Sequence, residues 1–220
     1  GVLRLDRHPP EEVGDGEHQQ RPAERAEAAE GGEGVGARER ERAAQVPPEA
    51  FGKHEPSEEE IGHAGGRGGP CVILAGQDAV VDGFTVQGAH TAGDGGGVCM
   101  YAGAAVINCI VRDNRAARYG GGVYMEYGGV VSNCIITRNT GAHGGGGVLC
   151  NNGGLVTDSR ICENRTHRAY GEGGGAALIG TARLLRAHVA HNRAMLSGGG
   201  IWCSDGAEIA HVYVARNRAG

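Results

Sequence analysis

Several patterns are missing from the sequence, and each absence excludes a class of protein. No apolar run is long enough to span a membrane as a helix. No Cys-x-x-Cys pair occurs among the seven cysteines, so a zinc site has no support. The chain has 21 basic and 26 acidic residues, and no strongly basic stretch marks a nucleic-acid-binding protein.

Proline, lysine and aromatic residues are scarce and unevenly distributed. All seven prolines and the single lysine, Lys53, lie in residues 1–70, whereas all seven cysteines lie in residues 71–220. Residues 1–70 hold 9 basic and 16 acidic residues and almost no aromatics, which predicts a disordered, low-complexity segment. An acidic interaction tail and a non-native extension are the alternatives. No signal peptide is visible in this segment.

Glycine is abundant instead, and its placement reveals a repeat. Glycine triplets open five units, at positions 95, 120, 145, 173 and 198, so the first four units contain 25, 25, 28 and 25 residues. The three extra residues of the third unit fall in "RTHRAYGE". A blurred earlier unit begins at Cys71.

Each unit alternates apolar and variable residues with the two-residue period of a β-strand. The pattern predicts three short strands per unit. One variable column is expected to point outward: Cys99, Tyr124, Leu149, Ala177 and Trp202. Units of this kind bury their apolar faces only by stacking, strand on equivalent strand. We therefore predict an all-β fold, a right-handed parallel β-helix of five to six coils over residues 71–220.

An asparagine recurs at one position of every unit: Asn114, Asn139, Asn164, Asn192 and Asn217. Stacked inside a corner, these amides would form a ladder that satisfies buried polar groups. A structural role is therefore favoured over sugar binding.

The two repeated motifs read "GGGV", "GGGA" or "GGGI", and then "VRDN", "ITRN", "ICEN", "VAHN" or "VARN". They resemble the repeats of the chlamydial polymorphic outer membrane protein family and, more broadly, the pectin-lyase-like superfamily. This resemblance implies a secreted or cell-surface bacterial protein and an adhesive or carbohydrate-related role. The superfamily's fold carries adhesins, tailspikes, lyases and hydrolases alike, so fold alone does not assign an activity.

A column of arginines follows the asparagines, interrupted by Thr140: Arg115, Arg165, Arg193 and Arg218. We expect this column to be exposed, with an acidic glycan as a candidate ligand. The outward aromatics Tyr124 and Trp202 are candidates for stacking on sugars, with ordinary surface residues as the alternative.

No catalytic residues can be assigned from the sequence. Asp113 and Glu163 share a column with Arg138 between them, which favours surface charge pairing over a catalytic carboxylate pair. Cys109 and Cys134 are expected to stack in neighbouring coils as free, buried thiols. We predict neither a metal nor a cofactor, with Ca²⁺ expected only if the protein is a lyase.

These observations favour a structural or adhesive β-helix module, extracellular or on a bacterial cell surface. Its expected partner is a polysaccharide or a host or cell-surface glycan, and it is expected to belong to a longer chain. The alternative is a polysaccharide-active enzyme, a lyase or glycoside hydrolase, whose catalytic residues are lost, lie on loops, or lie on coils outside this sequence.

Overall fold

The computed structural model describes Glu60–Ile61 and residues 68–220 of the 220-residue chain. Most of residues 1–70, for which the sequence predicts disorder, lie outside these described residues. Within that segment, Glu60–Ile61 forms a strand that pairs in parallel with Thr85 and Val86.

The described residues form a parallel β-helix, which confirms the predicted architecture. They contain 25 short strands in four parallel sheets, and no helix. We name the sheets first to fourth, in the order in which each coil meets them after its glycine triplet. Each coil therefore has four strands, and the prediction of three is wrong, because a two-residue strand follows the asparagine.

The strand bounds show the regularity of the coils. The first sheet contains Val72–Leu74, Val98–Tyr101, Val123–Glu126, Val148–Asn151, Ala176–Leu178 and Ile201–Cys203. The second contains Val80–Asp82, Ala105–Ile107, Val130–Ser132, Leu155–Thr157, Arg183–Leu185 and Glu208–Ala210. The third contains Glu60–Ile61, Thr85–Gln87, Ile110–Arg112, Ile135–Thr137, Arg160–Cys162, His188–Ala190 and Tyr213–Ala215. The fourth contains His90–Thr91, Arg115–Ala116, Thr140–Gly141, Arg165–Thr166, Arg193–Ala194 and Arg218–Ala219.

Equivalent residues of successive coils pair directly. Val123 lies opposite Val98 in the coil before it and opposite Val148 in the coil after it. The longer third unit keeps this register, because Val148 still pairs with Ala176. Its extra residues are therefore absorbed by the loop after Thr166.

The interior consists of stacked apolar columns, as predicted. Met100, Met125, Cys150 and Leu178 form one such column, and all four are fully buried. Cys109 and Cys134 are free thiols, as expected. The backbone N–H of Cys109 donates to Sγ of Cys134 at 3.4 Å, and both thiols are buried among apolar side chains. Burial raises the pKa of the Cys150 thiol, so this thiol stays neutral.

The first and second glycines of each triplet are required for different reasons. The first glycine adopts a left-handed backbone, with φ of +61° at Gly120. The second glycine has no room for a side chain, because a Cβ at Gly121 would overlap the Gly146 carbonyl oxygen of the next coil. The triplet is therefore a tight corner that lets successive coils stack.

We expect Gly121→Val to lower the free energy of unfolding by about 3 kcal/mol or more, because the added side chain must push two coils apart. Denaturant unfolding followed by circular dichroism measures this loss. Gly76→Val is the matched control, since open space surrounds Gly76. Equal losses in the two variants would contradict the corner role.

The asparagines form a continuous hydrogen-bonded ladder inside the helix. The amide Nδ2 of Asn139 donates to Oδ1 of Asn164 at 3.1 Å and to the Val111 carbonyl oxygen of the preceding coil at 2.8 Å. The backbone N–H of Asn139 donates to the same Oδ1 at 2.9 Å. Equivalent bonds join the other ladder members, Asn114, Asn192 and Asn217. Each asparagine thus ties its own coil to both neighbours.

Asn164→Ala is expected to cost about 3–5 kcal/mol of stability, because it leaves buried N–H groups of Asn139 and the Ile136 carbonyl without partners. Asn217→Ala is the matched comparison. Asn217 occupies the same column but is only partly buried. We expect it to cost less than half as much, since water can replace the lost bonds. Thermal unfolding of both variants tests the ranking, and the reverse order would argue against a buried ladder.

Candidate functional site

The fourth sheet presents a column of basic side chains in direct register. Arg165 pairs with Arg193, and Arg193 pairs with Arg218. Thr140 lies between Arg115 and Arg165. His90 pairs with Arg115 and extends the column. It is hard to find from sequence, because its repeat unit is degenerate. We call these six residues, from His90 to Arg218, the basic column.

Alternation along the short strands explains why the column faces outward. The asparagine before each strand points into the interior, the next residue points out, and the residue after that points in again. Arg115 is exposed, for example, whereas Asn114 and Ala116 are buried. Neighbouring column members are therefore separated by about one strand spacing, roughly 4.8 Å.

The arginines of the column make no ion pair among the residues that the structure describes. The ion pairs in that part of the chain use other arginines: Arg118, Arg138, Arg183 and Arg186. Within residues 68–220, no carboxylate therefore lies at ion-pair distance from an arginine of the column. Thr140 alone in the column is buried, with 8 % of its surface exposed.

The loop of the longer third unit folds against the column at Thr140. Nε of Arg165 donates to Oγ1 of Thr140 at 3.2 Å. Nη2 of Arg115 lies 3.5 Å from Nε2 of His167, which belongs to the loop two coils further on. The side chains of Arg115, Arg165 and His167 thus converge over Thr140. The sequence signals this arrangement only by two neighbouring irregularities. Thr140 replaces an arginine in the second unit, and the third unit is lengthened to 28 residues.

The electrostatic surroundings of His167 are strongly positive. Burial lowers the pKa of His167, and the charge of Arg115 lowers it further, whereas the nearby Gly141 backbone raises it; Arg168 and Arg165 lower it again, and the net shift is downward. Its Nδ1 atom is buried and has no hydrogen-bond partner among the described residues.

The aromatic candidates do not form part of this surface. Tyr124 lies on the first sheet and is only 7 % exposed, so it cannot stack on a ligand. The prediction that its column faces solvent is wrong, because Tyr119, in the loop before the second glycine triplet, packs against it. The result is a second apolar cluster of Cys99, Tyr124, Leu149 and Ala177, against which Tyr119 and the half-buried Trp202 pack.

Polar contacts hold Tyr124 in this cluster. Its hydroxyl donates to Oε2 of Glu126, and Nδ2 of Asn151 donates to Oε1 of the same carboxylate at 3.0 Å. Burial, followed by the bond to Glu126, raises the pKa of Tyr124, so its hydroxyl stays protonated. These contacts give Tyr124 a structural role.

Tyr124→Ala is expected to lower the free energy of unfolding by about 2–4 kcal/mol, because it opens a cavity in the second cluster. The control is Tyr127→Ala, which removes the same side chain from a position that is 68 % exposed. We expect that change to stay within about 0.5 kcal/mol. Urea unfolding distinguishes the two variants, and similar losses would mean that the cluster contributes nothing to stability.

The acidic candidates are engaged in surface pairing. Nε and Nη2 of Arg138 donate to the two oxygens of Asp113 at 2.8 and 2.7 Å. Asp113, Arg138 and Glu163 occupy equivalent corners with φ between 53° and 58°. Arg138 therefore sits between the two carboxylates, and the pair with Asp113 is half exposed and worth about 1 kcal/mol at most. The part of the chain that the structure describes contains no cluster of three potential metal ligands.

Comparison with known families agrees with this architecture. The family described as the right-handed β-helix region matches residues 63–219. The chain belongs to this family. The match confirms the predicted right-handed β-helix, whereas the narrower resemblance to chlamydial surface proteins stays a prediction. Neither the curated proteins nor the solved structures yield a match. Among the described residues, no helix has the length and apolar character needed to cross a membrane.

Proposed function

We propose that this protein is an extracellular or cell-surface β-helix module that binds acidic polysaccharide along the basic column. The observation that carries this proposal is the direct register of arginines on the fourth sheet without ion-pair partners among the described residues.

The chemistry of the column suits a repeating anion. Guanidinium groups bind carboxylates and sulfates through paired N–H donors, and they stay charged at every physiological pH. An extended polymer that carries one such group on each sugar, or on alternate sugars, presents charges at intervals similar to one or two coil spacings. Several weak contacts then add along one chain, as in other multivalent complexes.

The rigidity of the scaffold supports the same function. The four inner column members, from Arg115 to Arg193, are fixed by backbone pairing to the coils on either side, so little conformational entropy is lost in the backbone when the ligand binds. A straight row on a stiff solenoid complements a linear partner better than a compact one.

The enzyme alternative is a second hypothesis and lacks a supporting observation of its own. The most suggestive carboxylates, Asp113 and Glu163, flank Arg138, and Arg138 binds Asp113. We therefore propose binding without turnover. Incubation with pectate and alginate, with and without Ca²⁺, should release no unsaturated or reducing ends.

The double variant Arg193→Ala/Arg218→Ala is expected to weaken binding to polygalacturonate or dextran sulfate about ten-fold, because each exposed charged contact contributes up to about 1 kcal/mol. Isothermal titration calorimetry at low ionic strength measures the change. Added salt should reduce the difference between variant and wild type.

A charge-matched control separates this site from general electrostatic attraction. Arg138→Ala/Arg216→Ala removes two exposed arginines that belong to the corners before the fourth sheet and not to the column. We expect it to bind nearly as well as the wild-type protein. Equal weakening by both double variants would reject the basic column as the site.

A further inference from the structure

The proposed column contains one place where its pattern breaks, and that place has the chemistry of a separate subsite. We propose that Arg115, Arg165 and His167, converging over Thr140, form an anchoring subsite for one carboxylate or sulfate group of the bound polymer, and that the group binds together with a proton on His167. This inference rests on the proposed function, and it adds a specific contact and a pH dependence.

The first argument is steric. Thr140 replaces an arginine in the middle of the column and is buried beneath its neighbours. Arg115 reaches along the column from one side to His167, and Arg165 reaches back from the other side to the Thr140 hydroxyl. Thr140 is therefore bordered by two guanidinium groups and an imidazole ring.

The second argument concerns hydrogen bonding. A guanidinium group only donates, so Nε2 of His167 must accept in its 3.5 Å contact with Nη2 of Arg115. The neutral ring then carries its proton on Nδ1, which is buried and makes no hydrogen bond of good geometry among the described residues, with the Gly141 backbone nearby. Arg165 is also a donor in its bond to Thr140. The two guanidinium groups thus supply N–H donors, and no carboxylate among the described residues accepts from them, which is the composition that an oxyanion satisfies.

The third argument is electrostatic. The charged groups acting on His167 are Arg115 from an earlier coil, Arg165 from its own strand and Arg168 from its own loop, whereas the strand Thr140–Gly141 carries no charge. All three are positive, and they disfavour the imidazolium form. An anion placed between Arg115 and His167 would offset this repulsion and accept a hydrogen bond from a protonated Nε2.

The sign of the pH effect follows from this linkage. The free protein holds His167 at a pKa below its usual value of about 6.5, and the bound anion raises it. The complex therefore takes up a proton in the acidic range. Affinity should increase as the pH falls through the interval between the free and the bound pKa values.

The test compares affinities at about pH 8 and about pH 5.5, at constant ionic strength, where histidine changes charge and the ligand groups stay ionised. The ligands are polygalacturonate, which carries only carboxylates, dextran sulfate, which carries only sulfates, and neutral dextran. For the wild-type protein we expect an affinity gain of about three- to ten-fold at the lower pH with at least one polyanion. Neutral dextran should not bind.

Two variants, each made in a His90→Gln background because His90 also belongs to the basic column, distinguish the subsite from the rest of the column. His167→Gln keeps a polar side chain that does not titrate, and it should lose the pH-dependent gain while retaining binding at the higher pH. Arg193→Ala should weaken binding at both pH values and retain the gain. A full gain in His167→Gln, or no gain in the wild-type protein, would overturn the subsite.

A measurement without polymer keeps the two proposals separable. The pKa of His167, followed by NMR of its ring proton and assigned with His167→Gln, should rise when sodium sulfate replaces sodium chloride at equal ionic strength. Arg115→Ala should abolish the rise. A rise in sulfate without any polymer binding would support the subsite and reject the proposed function. Polymer binding with an unchanged His167 pKa would support the proposed function and reject the subsite.

Discussion

Parallel hydrogen bonding between successive coils is the constraint on which the rest of this structure depends. Each strand pairs with the same strand of the coils before and after it, so every residue meets its own equivalent. An interior position must therefore suit a stack of similar side chains. The columns of Val, Ile, Met and Cys meet this requirement, and the asparagine ladder meets it for polar groups.

The same constraint explains why glycine is so frequent. Where coils approach each other at a corner, the backbone of one unit occupies the space that a side chain of the next would need. Gly121 and Gly146 illustrate this, since a Cβ at either position would overlap a carbonyl oxygen of the following coil. Corners that lie on the outside tolerate other residues, and Asn108, Asn133 and Asp158 adopt left-handed conformations there.

Register also converts a sequence pattern into a surface. A residue type repeated at one position of the unit becomes a straight row on one sheet, at a spacing that the backbone sets. The arginines after the asparagines form such a row on the fourth sheet. The interruption of this row at Thr140 likewise lies at one place on the surface. The loop of the longest unit folds against it. Chemical variety on this scaffold thus arises where the repeat is interrupted.

The repeat, the parallel β-helix, the inward columns and the position of the asparagines all follow from the sequence pattern, because a two-residue period and a fixed unit length leave few alternatives. What covers the outer faces depends instead on tertiary packing. Tyr124 belongs to an outward column by period, yet a loop buries it. His167 lies in an irregular loop, and only folding brings it to Arg115, 52 residues away in sequence. Loop paths depend on packing between coils, and local periodicity does not encode that packing.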